Sequence, residues 1–127
     1  MFRNSGSILV IDDDEMIRET LRLALEFAGY AVETAANGQE GLAKLHSGKK
    51  PALILLDLMM PVLDGWEFWE AVKESGDLRE IPIVIITASN ARIPDLKTLS
   101  KPIDLKNLIQ TVHQYFADDL HEPRTGQ

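Results

Sequence analysis

Three short runs built only of apolar residues, Ile8–Ile11, Ala52–Leu56 and Ile83–Ile86, constrain the fold of this chain more than any other feature. A strand that is apolar at every position, rather than at alternate ones, has both of its faces covered. That is the pattern of a parallel sheet lying between layers of helices. Between the runs the apolar period changes from strand to helix. Ile17, Leu21, Ala24, Leu25 and Ala28 form one stripe, and Gly29 follows it as a stop signal. Asn37-Gly38 is a turn ahead of a short helix over Gln39–His46, and Asp64-Gly65 precedes a helix over Trp66–Glu74. Leu105, Leu108, Ile109, Val112 and Phe116 share one side of a last helix, for which Asp104 is the N-cap. Tyr30–Thr34 completes the set as a second strand and Thr98–Ser100 as a fifth. The expected architecture is a doubly wound α/β domain around a five-stranded parallel sheet.

A length of 127 residues suits a single domain over 1–127, with polar, loosely held ends at 1–6 and 117–127. Thirteen basic against twenty acidic residues give a net charge of −7, which disfavours binding to a nucleic-acid backbone. With no cysteine, thiolate metal sites, disulfides and cysteine nucleophiles are excluded. The apolar runs are far shorter than the roughly 18 residues of a membrane span. A cytoplasmic address, with no membrane and no nucleic acid as partner, is the expectation.

In open α/β sheets, ligands bind beyond the carboxyl ends of the strands, so those ends are where chemistry is expected. The first strand runs into Asp12-Asp13-Asp14, the third ends at Asp57, the fourth at Thr87, and Lys101-Pro102 precedes the last helix. Carboxylates of Asp12, Asp13 and Asp57 converging at about 5 Å would repel by roughly 3 kcal/mol per pair at an effective dielectric near 20. A cation relieves that repulsion without protonation, and an all-oxygen donor set suits Mg²⁺. With a metal and a lysine to neutralise arriving charge, a carboxylate here can also act as a nucleophile toward phosphorus. Lys101 is the candidate lysine, and the Thr87 hydroxyl is placed to donate to a phosphoryl oxygen. Asp14 and Asp64 read more simply as helix caps.

These motifs together resemble the receiver domain of two-component response regulators, in particular the single-domain chemotaxis type. The resemblance rests on Ile8-Leu9-Val10-Ile11-Asp12-Asp13, Leu55-Leu56-Asp57-Leu58-Met59-Met60-Pro61 with Asp64-Gly65, Ile85-Ile86-Thr87-Ala88, and Lys101-Pro102, in order, over about Ser7–Phe116. It implies a flavodoxin-like fold in which Asp57 takes a phosphoryl group from a histidine kinase or phosphotransfer protein. It also implies Mg²⁺ held by Asp12, Asp13, Asp57 and the Met59 carbonyl, with Thr87 and Lys101 on the phosphoryl group. The protein would then be a switch rather than a metabolic enzyme, passing its state to a downstream protein target. The Lys101–Pro102 bond would be cis.

The sequence departs from that family in two places. Only ten residues, Ala88–Lys97, separate Thr87 from the fifth strand, and Pro94 interrupts them. That is at or below the roughly 10–12 residues a crossover usually needs. The fourth helix of the family is therefore expected to be missing or much shortened, leaving sheet or third-helix surface bare. The second departure is Thr98, which stands where many relatives carry an aromatic that moves with the threonine.

Phosphoacceptance is thus expected to be intact and its readout altered, with output expected through another protein, unless the sequence is a fragment of a longer chain. The alternative is an interaction module of the same fold that signals without phosphorylation. An aspartyl phosphatase would want a second acid at position 59, which is Met, and no glycine-rich phosphate loop follows the first strand. Oligomeric state is not readable from the sequence.

Overall fold

A computed structural model describes residues 6–48 and 50–121. Along the chain these form β1 (Ser7–Ile11), α1 (Glu15–Phe27), β2 (Ala31–Ala35), α2 (Gly38–Ser47), β3 (Leu53–Asp57), α3 (Gly65–Glu74), β4 (Ile83–Thr87), β5 (Thr98–Ser100) and α4 (Leu105–His121). The strands pair in parallel in the order β2-β1-β3-β4-β5. The chain thus starts near the middle of the sheet and winds to both edges, and the reversal beside β1 is the switch point at which such sheets bind ligands. Most of the expected loose ends, 1–6 and 117–127, lies outside the described residues, and 117–121 belong to α4.

Alternation along each strand divides the core into two layers. Ile8, Val10, Leu53, Leu55, Val84, Ile86 and Leu99 pack against Leu21 and Leu25 of α1 and Leu108, Val112 and Phe116 of α4. Leu9, Ile11, Ile54, Leu56, Ile83 and Ile85 pack against Leu45 of α2 and Phe68 and Val72 of α3. Acids start three of the four helices that cover these layers. Asp14 accepts from the N–H groups of Met16 and Ile17. Asp64 forms a reciprocal capping box with Glu67, and Asp104 accepts from the N–H groups of Lys106 and Asn107. Gly29, at φ 103°, ends the α1 turn in the left-handed conformation that glycine adopts most readily.

No helix lies between β4 and β5, and the fourth helix in chain order, α4, comes after β5. The expectation of bare sheet or third-helix surface is not met. Ile93, 2% exposed, inserts from the loop into the layer formed by Ile83, Ile85, Phe68 and Val72, and Ala91 and Leu96 pack beside it. A turn delivers the plug. The Leu96 N–H donates to the Ile93 carbonyl at 3.1 Å, with Pro94 second and Asp95, at φ 73°, third. Pro94 therefore forms the turn that lets ten residues cross over without a helix. On α3, Phe68 is buried, Trp69 is half-buried under the Lys73 ammonium, and Trp66 is exposed.

Candidate functional site

Asp12 is fully buried at the end of β1 and is fixed by its own main chain. Its N–H donates to the Ala35 carbonyl at 3.2 Å, and its carbonyl accepts from Arg18 Nη1 at 2.7 Å. Its Oδ1 accepts from the Asp14 N–H at 2.9 Å. Its Oδ2 is buried without a hydrogen-bond donor: Lys101 Nζ lies 2.9 Å away, an ion-pair distance, but outside hydrogen-bond geometry. Desolvated oxygens of this kind are costly unless a charge of opposite sign faces them.

Asp57, 2% exposed, ends the fully apolar β3. Its Oδ1 accepts from the Met59 N–H at 3.1 Å and its Oδ2 from Lys101 Nζ at 3.3 Å. Asp12, Asp13 and Asp57 each bring a carboxylate oxygen within 4.8 Å of the others, with Asp13 exposed at the rim. Three carboxylates facing one lysine leave an excess of negative charge. Hard oxygen donors around an unsatisfied buried oxygen fit a Mg²⁺ ion.

The electrostatics follow from that crowding. Burial raises the Asp57 carboxyl above the ordinary carboxylate range. The Met59 N–H opposes the rise, the neighbouring Asp12 charge adds to it, and Lys101 opposes it, leaving a net upward shift. Burial works against the charge of Lys101, but the Asp12 and Asp57 carboxylates outweigh it and hold this ammonium above its usual range.

Backbone packing sets the loop that carries Asp57. The Gly65 N–H donates to the Leu58 carbonyl at 3.1 Å. A Cβ at Gly65 would stand 2.5 Å from Leu58 Cα and 2.6 Å from the Asp57 carbonyl oxygen. Only glycine lets α3 begin this close to the end of β3. Lys101 is placed by its N–H, which donates to the Thr87 carbonyl at 2.9 Å, and the Lys101–Pro102 bond is cis. Beside Lys101 an apolar cleft of about 290 Å³ opens between α1 and the start of α4, with Met16 and Leu105 exposed at its edge.

Asp12, Asp13, Asp57 and Lys101 therefore converge as the sequence leads one to expect. Thr87 is buried at the end of β4, but its hydroxyl makes no hydrogen bond to Asp57 and pairs with Ser89 instead. The Met59 N–H is seen at Asp57, and its side chain is half exposed. Two participants escape sequence reasoning. Arg18 holds the Asp12 carbonyl from a helix position that looks like any solvated one. Ser89 sits in a polar loop with no periodicity to single it out.

Comparison with known proteins agrees with this geometry. The response regulator receiver domain family matches residues 8–113. The chain is 41% identical over 113 residues to the response regulator MprA of Mycobacterium bovis, a match covering 83% of this chain and 48% of that protein. It thus spans about half the length of the curated relatives it matches. Among solved structures, the Vibrio cholerae chemotaxis protein CheY4 superposes with a TM-score of 0.79 at 31% identity, covering 87% of this chain and 98% of that one. A CheY-like response regulator receiver domain protein from Methanospirillum hungatei gives 0.78 at 29% identity, covering 88% and 94%. The matched stretch runs from the first buried residue of β1 into α4 and takes in every acid of the cluster, so this chain belongs to the response regulator receiver domain family.

Proposed function

We propose that this chain is a phosphorylation-driven switch in which Asp57 accepts a phosphoryl group from the phosphohistidine of a sensor histidine kinase or phosphotransfer protein. The observation that carries the reading is the buried Asp57 carboxylate, 3.3 Å from Lys101 and clustered with Asp12 and Asp13. Asp12, Asp13, Asp57 and the Met59 carbonyl hold Mg²⁺. When bound, the ion neutralises charge on the carboxylates and on the transferring group. An Asp57 oxygen attacks phosphorus, the P–N bond of the phosphohistidine breaks with its electron pair returning to the imidazole, and an acyl phosphate results. Burial favours the neutral acid, so Lys101 has a double task. It keeps Asp57 ionised for attack, and it then faces the phosphoryl oxygens as Thr87 donates to them. Attack of water on phosphorus breaks the P–O bond to Asp57, releases orthophosphate and restores the carboxylate.

The cleft between Met16 and Leu105 gives the donor protein apolar surface beside the acids, and the Asp57 state is passed to a downstream protein in the cytoplasm. In this reading the chain catalyses only its own phosphorylation and dephosphorylation. The test is intact mass after incubation with acetyl phosphate, with and without Mg²⁺. The expected result is a gain of one phosphoryl group by the wild type in Mg²⁺, and none by Asp57→Asn or in excess chelator. Uptake by Asp57→Asn equal to that of the wild type overturns the assignment.

A further inference from the structure

The hydroxyl of Thr87 carries one proton and can also accept. At present Ser89 occupies it twice: the Ser89 N–H donates to Thr87 Oγ1 at 3.3 Å, and the two side-chain hydroxyls pair at 3.2 Å. Ser89 Oγ in turn accepts from the Ala91 N–H at 3.1 Å. Two residues further on is Ile93, the buried plug that closes the sheet face in the absence of a helix. Thr87 continues the parity of Ile83 and Ile85, so its side chain belongs to the face this loop covers. Thr98, paired with Ile85, belongs to the same face, but its buried hydroxyl has no hydrogen-bond partner among the described residues. While its backbone pairs with β5, the Thr87 hydroxyl is therefore tied to its surroundings on this face through Ser89.

We propose that Ser89 is a positioning residue that couples Thr87 to the helix-less crossover 88–97, and that this loop is the element that reads the state of Asp57. The inference rests on the phosphoacceptor reading and specifies its regulation. A phosphoryl oxygen only accepts hydrogen bonds, so a Thr87 hydroxyl that donates to it has no proton left for Ser89 Oγ. The Ser89 hydroxyl must then donate to Thr87 while still accepting from Ala91. The hydroxyl pair, free to run in either direction before phosphorylation, is fixed in one direction afterwards. Aligned chains of hydrogen bonds reinforce one another, so the Ala91 end of the loop is held more tightly in the phosphorylated state.

The experiment is amide hydrogen exchange of peptides spanning 88–97, with acetyl phosphate and Mg²⁺ or with neither, beside intact mass on the same samples. In the wild type, exchange at Ala91–Leu96 slows on phosphorylation. Ser89→Ala takes up the phosphoryl group and loses this slowing, and Ser89→Thr, which retains a hydroxyl, restores it. Ser89 is half-buried in a surface loop, so both variants are expected to fold. Three results overturn the coupling: a wild-type loop indifferent to phosphorylation, a Ser89→Ala loop that responds as the wild type does, or a Ser89→Ala chain that takes up no phosphoryl group. Failure of the wild type to gain mass instead refutes the phosphoacceptor reading, so the two failures are distinct.

Discussion

The two faces of the sheet are closed by different means. On one, α1 and α4 lay Leu21, Leu25, Leu108, Val112 and Phe116 over the strands, and each helix spells out its contribution as a stripe at helical spacing. On the other, α2 and α3 cover only part of the surface, and the remainder near β4 is sealed by a loop with one deeply buried side chain, Ile93. A helix distributes its hold on the sheet over several turns. The loop concentrates it in one residue, and the same loop begins at Thr87, one of the proposed phosphoryl contacts. The patch closed by a single loop side chain is thus the one nearest the proposed readout, consistent with moving elements being drawn from the less stable parts of a fold.

The largest expected effect tests whether the second face has any slack where α3 begins. Gly65→Ala puts a methyl group against backbone atoms of Leu58 and Asp57 that have no flexible end to give way. Its cost is expected at about 3 kcal/mol or more in chemical denaturation. Gly76→Ala, where a Cβ meets nothing within 4 Å, is expected to stay within about 0.5 kcal/mol of the wild type. Similar stability of the two variants would break the account of how α3 seats the Asp57 loop.

A direct comparison of the faces comes next. Leu25→Ala, on α1, is expected to cost about 3 kcal/mol, whereas Ile93→Ala is expected near 2 kcal/mol because a loop collapses onto the vacated space more easily than a helix does. Hydrogen exchange then separates the two. Ile93→Ala speeds exchange locally in 88–97, and Leu25→Ala lowers protection throughout. An Ile93→Ala variant as unstable as Leu25→Ala would mean the loop is as rigid as a helix.

The smallest expected effect concerns the site itself. Burial holds the Asp57 pKa in the folded chain above its unfolded value, so the folded state binds the proton more tightly. Ionised Asp57 therefore costs stability above the folded-state pKa, and the cost disappears as pH falls through it. Without divalent cations at neutral pH, Asp57→Asn is expected to melt a few degrees higher than the wild type, with the gap closing as the pH is lowered through the folded-state pKa toward the unfolded one. Mg²⁺ is expected to raise the wild-type Tm more than that of the variant, since ligand binding to the folded state stabilises it. A variant that melts below the wild type under cation-free conditions would contradict a net cost of holding Asp57 ionised in the folded chain.

Much of this was legible in the sequence because burial and period leave a record there. Uniformly apolar strands mark a parallel sheet, and the acids at their ends mark Asp12 and Asp57 as residues that core packing does not require. Asp14, Asp64 and Asp104 stand where caps belong. The closure of the helix-less face was not legible, since Ile93 stands between Arg92 and Pro94 and its apolar neighbours Ala91 and Leu96, one at strand and one at helical spacing, continue neither period. Ser89 and Arg18 were hidden for a related reason. Each acts through a hydrogen bond to main chain or hydroxyl, and composition and period carry no trace of such bonds.

The measurement closest to the central claim is the location of the phosphoryl group. Borohydride reduces an aspartyl phosphate to homoserine, so treating the protein after acetyl phosphate and Mg²⁺, then digesting it and sequencing the peptides by mass, names the acceptor among Asp12, Asp13 and Asp57. The account predicts homoserine at position 57 alone. Homoserine at position 12 or 13, or a phosphoryl group that survives borohydride because it sits on another residue type, would contradict it.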